Sequence, residues 1–189
     1  RRKTVQDMNQ NMKNEKSASI HAFDIGDNVS YTAVGICRIT GIEKKCFDGE
    51  NEYDYYILSP VNSNTSKYYL PVDKCEGKLR KLLSKEQIID IIDNALKSDD
   101  IDWESNCRER KAKFNSILSG DDSEQLFQML KTIHFQQEKN KLSGKKLVNS
   151  DEAVMKAAEN IVFQEFAVVL GIEYDEVKNF ISQRAEKII

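Results

Sequence analysis

Residues 66–96 read SKYYLPVDKCEGKLRKLLSKEQIIDIIDNAL, and the hydrophobic period changes inside this stretch. "SKYYLPV" is a short strand-like run closed by Pro71, which lacks an amide hydrogen and suits a strand end or sheet edge. From Leu79 onward the period is helical. Ser84 with Gln87 makes a capping box, in which each side chain satisfies the other's backbone amide. Ile88, Ile91, Ile92, Ala95 and Leu96 then fall on one face of the helix that follows. A boundary near residues 76–80 therefore separates a strand-forming half from a helix-forming half.

Toward the N-terminus, residues 23–77 read as β. "FDIGDNVSY" (23–31) opens with a Gly-Asp turn into a first strand in which Val29 and Tyr31 alternate with polar neighbours. "CFDGENEYDYYIL" (46–58) places an Asp48-Gly49 hairpin signal between two strand-like runs. Several short strands in so few residues predict a small, strongly bent sheet or barrel. Residues 1–22 are polar and aperiodic and are expected to form a flexible arm.

Toward the C-terminus, residues 78–189 predict an all-helical bundle of about five helices. A second helix is expected from near Asp102 to Leu118, with Gly120 just past its end. Asp121, Asp122 or Ser123 would cap a third, carrying Leu126, Met129, Leu130 and Ile133. Ser150 would cap a fourth, "DEAVMKAAENIVFQEFAVVL", which is apolar on most sides and therefore central. Gly171 stops it. The last helix is expected over 174–188 through Val177, Phe180, Ile181 and Ile188. The whole is an α+β chain of two domains, 23–77 and 78–189, behind the arm 1–22.

Composition narrows the function. No apolar run approaches the length of a membrane span, and no secretory leader is legible. The four cysteines, Cys37, Cys46, Cys75 and Cys107, show no C-x-x-C spacing, and the histidines, His21 and His134, stand far from any cysteine pair. Free thiols in a reducing cytoplasm are expected, without a structural metal. The formal net charge is −3, and residues 78–189 carry 18 basic and 20 acidic groups. Contact with nucleic acid would therefore need a local basic face, not the charge of the whole chain.

Enzyme signatures are not found. The sequence has no phosphate-cradling G-x-x-x-x-G-K-[ST] loop and no dinucleotide glycine pattern. It has no G-x-S-x-G elbow either. Asp99, Asp100 and Asp102 sit at an expected helix entrance, where acidic groups favour the helix dipole. Binding, with no cofactor and no small-molecule substrate, is the expected business.

The order of motifs resembles the CarD-like family of bacterial transcription regulators. It runs from "FDIGDNVSY" through "GICRITGIE" (35–43), "YYIL" (55–58) and "YYLPVDK" (68–74). It continues into "KLRKLLS", a lone Trp103 before a basic helix, "ILSGD", "GKKL" and "EFAVVLGI". The resemblance implies a Tudor-like, SH3-like β-domain that binds the RNA polymerase β subunit. It also implies a helical domain that touches promoter DNA weakly and without sequence specificity, stabilising the open complex. The chain departs from the family at two motif positions, and its stretch between Trp103 and the basic residues is longer than in some members. Thr32 stands where the family's Tyr-Pro-x-x-Gly turn has proline, and Tyr69 stands where the family has a basic polymerase contact.

Each candidate residue has a functional and a plain structural reading. Lys44 and Lys45 end a strand; they would pair with acidic groups on polymerase, Lys45 matching the family's basic contact, or simply discourage edge aggregation. Tyr68 and Tyr69 would suit the same surface, since tyrosine joins apolar area to a polar tip. Trp103 is either an apolar wedge against a base step or an ordinary core aromatic. Arg108, Arg110, Lys111 and Lys113 would contact phosphates or form a solvated face. Lys139, Lys141, Lys145 and Lys146 surround the Gly144 loop and could meet the phosphate backbone. The leading expectation is a polymerase-binding, DNA-contacting regulator. Its rival is a protein-interaction module without direct DNA contact.

Overall fold

The structure, a computed structural model, describes residues 21–63, 65–99, 101–120 and 122–187. Most of the expected N-terminal arm, Asp100, Asp121 and Ile188 lie outside the described residues. The α+β, two-part architecture is observed: five antiparallel strands precede five α-helices.

The strands are β1 (Asn28–Tyr31), β2 (Gly35–Lys45), β3 (Tyr53–Pro60), β4 (Tyr68–Pro71) and β5 (Leu79–Lys81). They are ordered β4-β3-β2-β1-β5, so β4 and β5 are the two edges of the sheet. Pro71 ends the edge strand β4, as its missing donor requires. The connection from β2 to β3 is longer than a tight hairpin. Asp48 Oδ1 accepts the amides of Glu50 and Asn51, and Gly49 takes φ +78°. A register shift between Ile39 and Gly41 bulges β2 and bends the sheet. One face packs Val29, Cys37, Ile39, Tyr56, Leu58, Leu70 and Leu79 into a core, with Phe23 laid across Tyr56. Burial pushes the Cys37 thiol up to about 11. All four cysteines are free thiols.

β5 corrects the expectation that the helical period begins at Leu79. Leu79, Arg80 and Lys81 pair with Tyr31, Ser30 and Val29. A three-residue run is too short for its alternation to be told from the first turn of a helix. The first helix begins only at Lys85.

The helices are α1 (Lys85–Lys97), α2 (Cys107–Leu118), α3 (Ser123–Leu142), α4 (Asn149–Leu170) and α5 (Val177–Glu186). The Ser84–Gln87 capping box opens α1. α2 starts five residues later than expected, because Asn106 accepts the amides of Arg108 and Glu109 and so caps the helix there. Asp122 caps α3 through the Gln125 amide. Ser150 does not cap α4; the helix already runs at Asn149, behind Val148. Gly171 stops α4 at φ +69°. A short 3-10 turn (Tyr174–Glu176) replaces the expected start of the last helix. As expected, α4 is central: it meets every other helix and also β2.

Two units meet across a partly buried ion pair. The Arg80 guanidinium donates from two nitrogens to the two carboxylate oxygens of Glu165, both at 2.8 Å. Glu165 is 2% exposed and also accepts the Leu83 amide at 2.9 Å. Gly35, at φ +107°, lies against Gln164, whose Oε1 would stand 3.0 Å from a Cβ there. Strand, linker and central helix are thus tied at three adjacent points.

Candidate interaction surfaces

The register of the sheet sorts the four residues expected to meet polymerase. Lys45 pairs with Tyr53, Glu43 with Tyr55, and Tyr55 with Pro71. Ile57 pairs with Tyr69. Directly paired residues point to the same side, so Lys45, Tyr55 and Tyr69 share the face opposite the core. Lys44 pairs with Asp54, and Tyr68 pairs with the buried Leu58. Both therefore point to the core side, where Tyr68 makes an edge contact with Tyr31 at 6.4 Å. The structure brings Lys45 and Tyr69 together and separates them from Lys44 and Tyr68.

Phe47 completes the outer face. It is 63% exposed and packs edge-on against Tyr55 at 5.0 Å and Tyr69 at 5.6 Å. The loop that carries it also lines a shallow groove of about 540 Å³ with Tyr53, Tyr55, Pro71, Asp73 and Lys74. The Lys45 ammonium sits 2.7 Å from the Glu43 carboxylate, whose hydrogen bond and charge raise its pKa. An exposed aromatic cluster beside a lysine and an edge strand is suited to protein binding. The rings supply area, and the free side of β4 offers main-chain groups. The sequence reading missed Phe47; its signal was a large apolar residue inside an otherwise polar hairpin loop.

On the helical unit, Trp103 lies in the extended segment before α2. It is half-buried, edge-on to the fully buried Phe114 at 5.9 Å. The Arg110 guanidinium carbon stands 4.5 Å from the indole centroid. One side of Trp103 thus packs on the helical core, and the rest reaches the surface.

Arg110 is a correction. It was expected among the phosphate contacts but is 5% exposed. Its Nε and Nη2 donate to Asp151, the Nη2–Oδ2 distance being 2.7 Å, and Nη1 donates to the Glu104 carbonyl at 2.6 Å. A buried guanidinium must be paired and hydrogen-bonded to offset its lost hydration, so it does not reach a phosphate. Arg108 and Lys111, three apart on α2, remain exposed, as does Lys113.

Lys139, Lys141, Lys145 and Lys146 are exposed around the α3–α4 turn. Gly144 takes φ +68° there, and the Lys145 amide returns to the Asn140 carbonyl at 2.8 Å. The start of α4 touches the start of α2 through Asp151–Arg110 and through Cys107–Ser150 at 3.7 Å. Those contacts bring the Lys145–Lys146 turn and the Trp103 segment to one end of the bundle. Among the described residues, no group of three or more His, Cys, Asp or Glu is placed to hold a metal ion. No helix described is long and apolar enough to cross a membrane.

The protein is thus a small antiparallel β-unit with one exposed aromatic face, tied to a helical bundle. Residues 23–83 match the family model of the CarD-like/TRCF RID domain, so over that third of the chain it is similar to CarD-like proteins. The domain is one that interacts with the RNA polymerase β subunit, so this chain carries a transcription-related protein-interaction domain. The match includes β5, in accord with its pairing to β1. No curated protein matches the chain.

Proposed function

We propose that this protein is a non-enzymatic regulator that binds the RNA polymerase β subunit with its β-unit and contacts promoter DNA with its helical unit, stabilising the open complex. Lys45, Phe47 and Tyr69 would carry the polymerase contact. Trp103 would press on a base step, while Arg108, Lys111, Lys145 and Lys146 would meet phosphates on either side. The observation that carries this reading is the Arg80–Glu165 clamp. It holds a polymerase-interacting domain in a fixed relation to the helical unit.

Two weak sites on one chain reinforce each other, because docking at one raises the effective concentration at the other. A net-acidic chain can use DNA in this way without binding it tightly alone. Isolated DNA binding should be weak and steeply salt-dependent, with a slope of about one per phosphate contact.

The test is a titration against the isolated β-subunit lobe, with Lys45→Glu and Tyr69→Ala beside the unaltered chain. It is followed by open-complex lifetimes with Trp103→Ala. Saturable binding weakened by either sheet variant, with a shortened lifetime for Trp103→Ala, supports the proposal. Polymerase binding with an unchanged lifetime in Trp103→Ala favours a module without direct DNA contact, which the packing of Trp103 on Phe114 also suits. Absence of binding at about 100 μM, a weak protein contact, or tight sequence-specific DNA binding by the free chain, overturns it.

A further inference from the structure

Trp103 belongs to a segment that has no helix of its own, yet the segment is anchored at both ends. At one end the Ile101 amide donates to Thr132 Oγ1 on α3 at 3.0 Å. At the other, Arg110 Nη1 holds the carbonyls of Glu104, at 2.6 Å, and Ser105, at 3.4 Å. The indole lies between these anchors, its ring over the guanidinium and its edge on Phe114. Arg110 is in turn aimed by Asp151, which is 2% exposed and sits in the first turn of α4.

A buried Arg–carboxylate pair is a poor device for stability alone, because well-packed apolar residues often serve as well. This pair does something apolar residues cannot. One planar guanidinium simultaneously stacks on an aromatic ring, fixes two loop carbonyls and forks onto a carboxylate. We infer that Arg110 is a positioning residue for Trp103: with Asp151 it fixes the direction in which the exposed part of the indole points, so that DNA meets an already ordered wedge. Preorganisation of this kind lowers the ordering cost of binding. The inference rests on the DNA contact proposed for Trp103 and deepens it.

Trp103 is the only tryptophan in the sequence, so its fluorescence reports this site alone. The full chain would be compared with Arg110→Lys, with the apolar pair Arg110→Met/Asp151→Leu, and with Trp103→Ala. Helical circular dichroism checks the fold. In the folded apolar pair, acrylamide quenching of the indole should rise. Open-complex lifetime should fall about five- to thirty-fold, the ratio set by losing roughly 1–2 kcal/mol of ring–cation and ordering energy. Adding Trp103→Ala to that pair should change little further. Arg110→Lys keeps the charge without the planar fork, and should reproduce the quenching change even if the apolar pair fails to fold. Unchanged quenching in the folded variants, or fully additive effects of the pair and Trp103→Ala on lifetime, would overturn the inference. Raised quenching with no lifetime effect of Trp103→Ala would instead remove the DNA contact and leave the positioning of the ring standing.

Discussion

Arg80 and Glu165 form a two-point hydrogen-bonded ion pair, 2.8 Å at each point, between the last strand of the sheet and the central helix of the bundle. Replacing Arg80 by Ala leaves the Glu165 carboxylate enclosed, with its guanidinium partner gone and the Leu83 amide still donating to it. Chemical denaturation should show a loss of about 2 kcal/mol. That is less than the roughly 3–5 kcal/mol of a fully enclosed pair, since the Arg80 side chain remains 31% exposed. If the clamp also sets the geometry of the complex, Arg80→Ala should retain β-subunit binding while shortening the open-complex lifetime.

The outer face of the sheet predicts the opposite pattern. Phe47 and Tyr69 are exposed, and the Phe47 ring touches those of both Tyr69 and Tyr55. Phe47→Ala should leave thermal stability within about 0.5 kcal/mol of the parent. It should weaken β-subunit binding by about 1–2 kcal/mol in a calorimetric titration, as truncation of an aromatic anchor does. Lys44→Ala, on the other face, should leave both stability and β-subunit binding unchanged.

Some of this architecture is legible in the sequence because its causes are local. Ser84 and Gln87 act within one turn, and Gly171 stops α4 at the position where only glycine is at ease with a positive φ. The outer-face pair Lys45 and Tyr69 was half legible: both were singled out, but only the strand register separates them from Lys44 and Tyr68. Arg110 was not legible. A phosphate-binding arginine and a buried ion-paired one look alike on a helix, and its partner Asp151 lies 41 residues further along. Glu165 reads as one polar position in an apolar helix until β5 brings Arg80 to it.

Gly35 supplies a steric test of the contact between the units. It has φ +107°, and a Cβ there would stand 3.0 Å from Gln164 Oε1. Gly35→Ala should therefore cost about 1–3 kcal/mol. Adding Gln164→Ala should restore only part of it, because shortening Gln164 clears space but leaves the backbone strain. Full restoration in thermal denaturation would show that the side-chain clash alone was at fault.

His134 predicts an acid-side dependence. Burial pushes its pKa below the ordinary 6.5, while the Glu159 carboxylate 2.8 Å from Nε2 pulls it back up and Lys178 pushes it down. The net shift is downward, so the unfolded chain takes up a proton before the folded one does. The contribution is present above pH 6.5 and is lost as pH falls from there toward the folded-state value. Replacing His134 by Gln should flatten the fall in stability below pH 6.5, measured by denaturation midpoints across the pH series.

Only Leu82 and Leu83 separate the end of β5 at Lys81 from the Ser84 cap of α1, and the Leu83 amide is bound by Glu165. Two residues reach no more than about 7 Å, so there is no slack to take up a change in chain length. An inserted residue would change the spacing at which Arg80 and the Leu83 amide both meet Glu165, and so pull one of them off the clamp. The joint is therefore closed to insertions and deletions that ordinary surface loops accept. Variation in the span between the outer face of the sheet and the Trp103 end of the bundle would have to arise at the far ends of the two units, in the β2–β3 and α3–α4 turns.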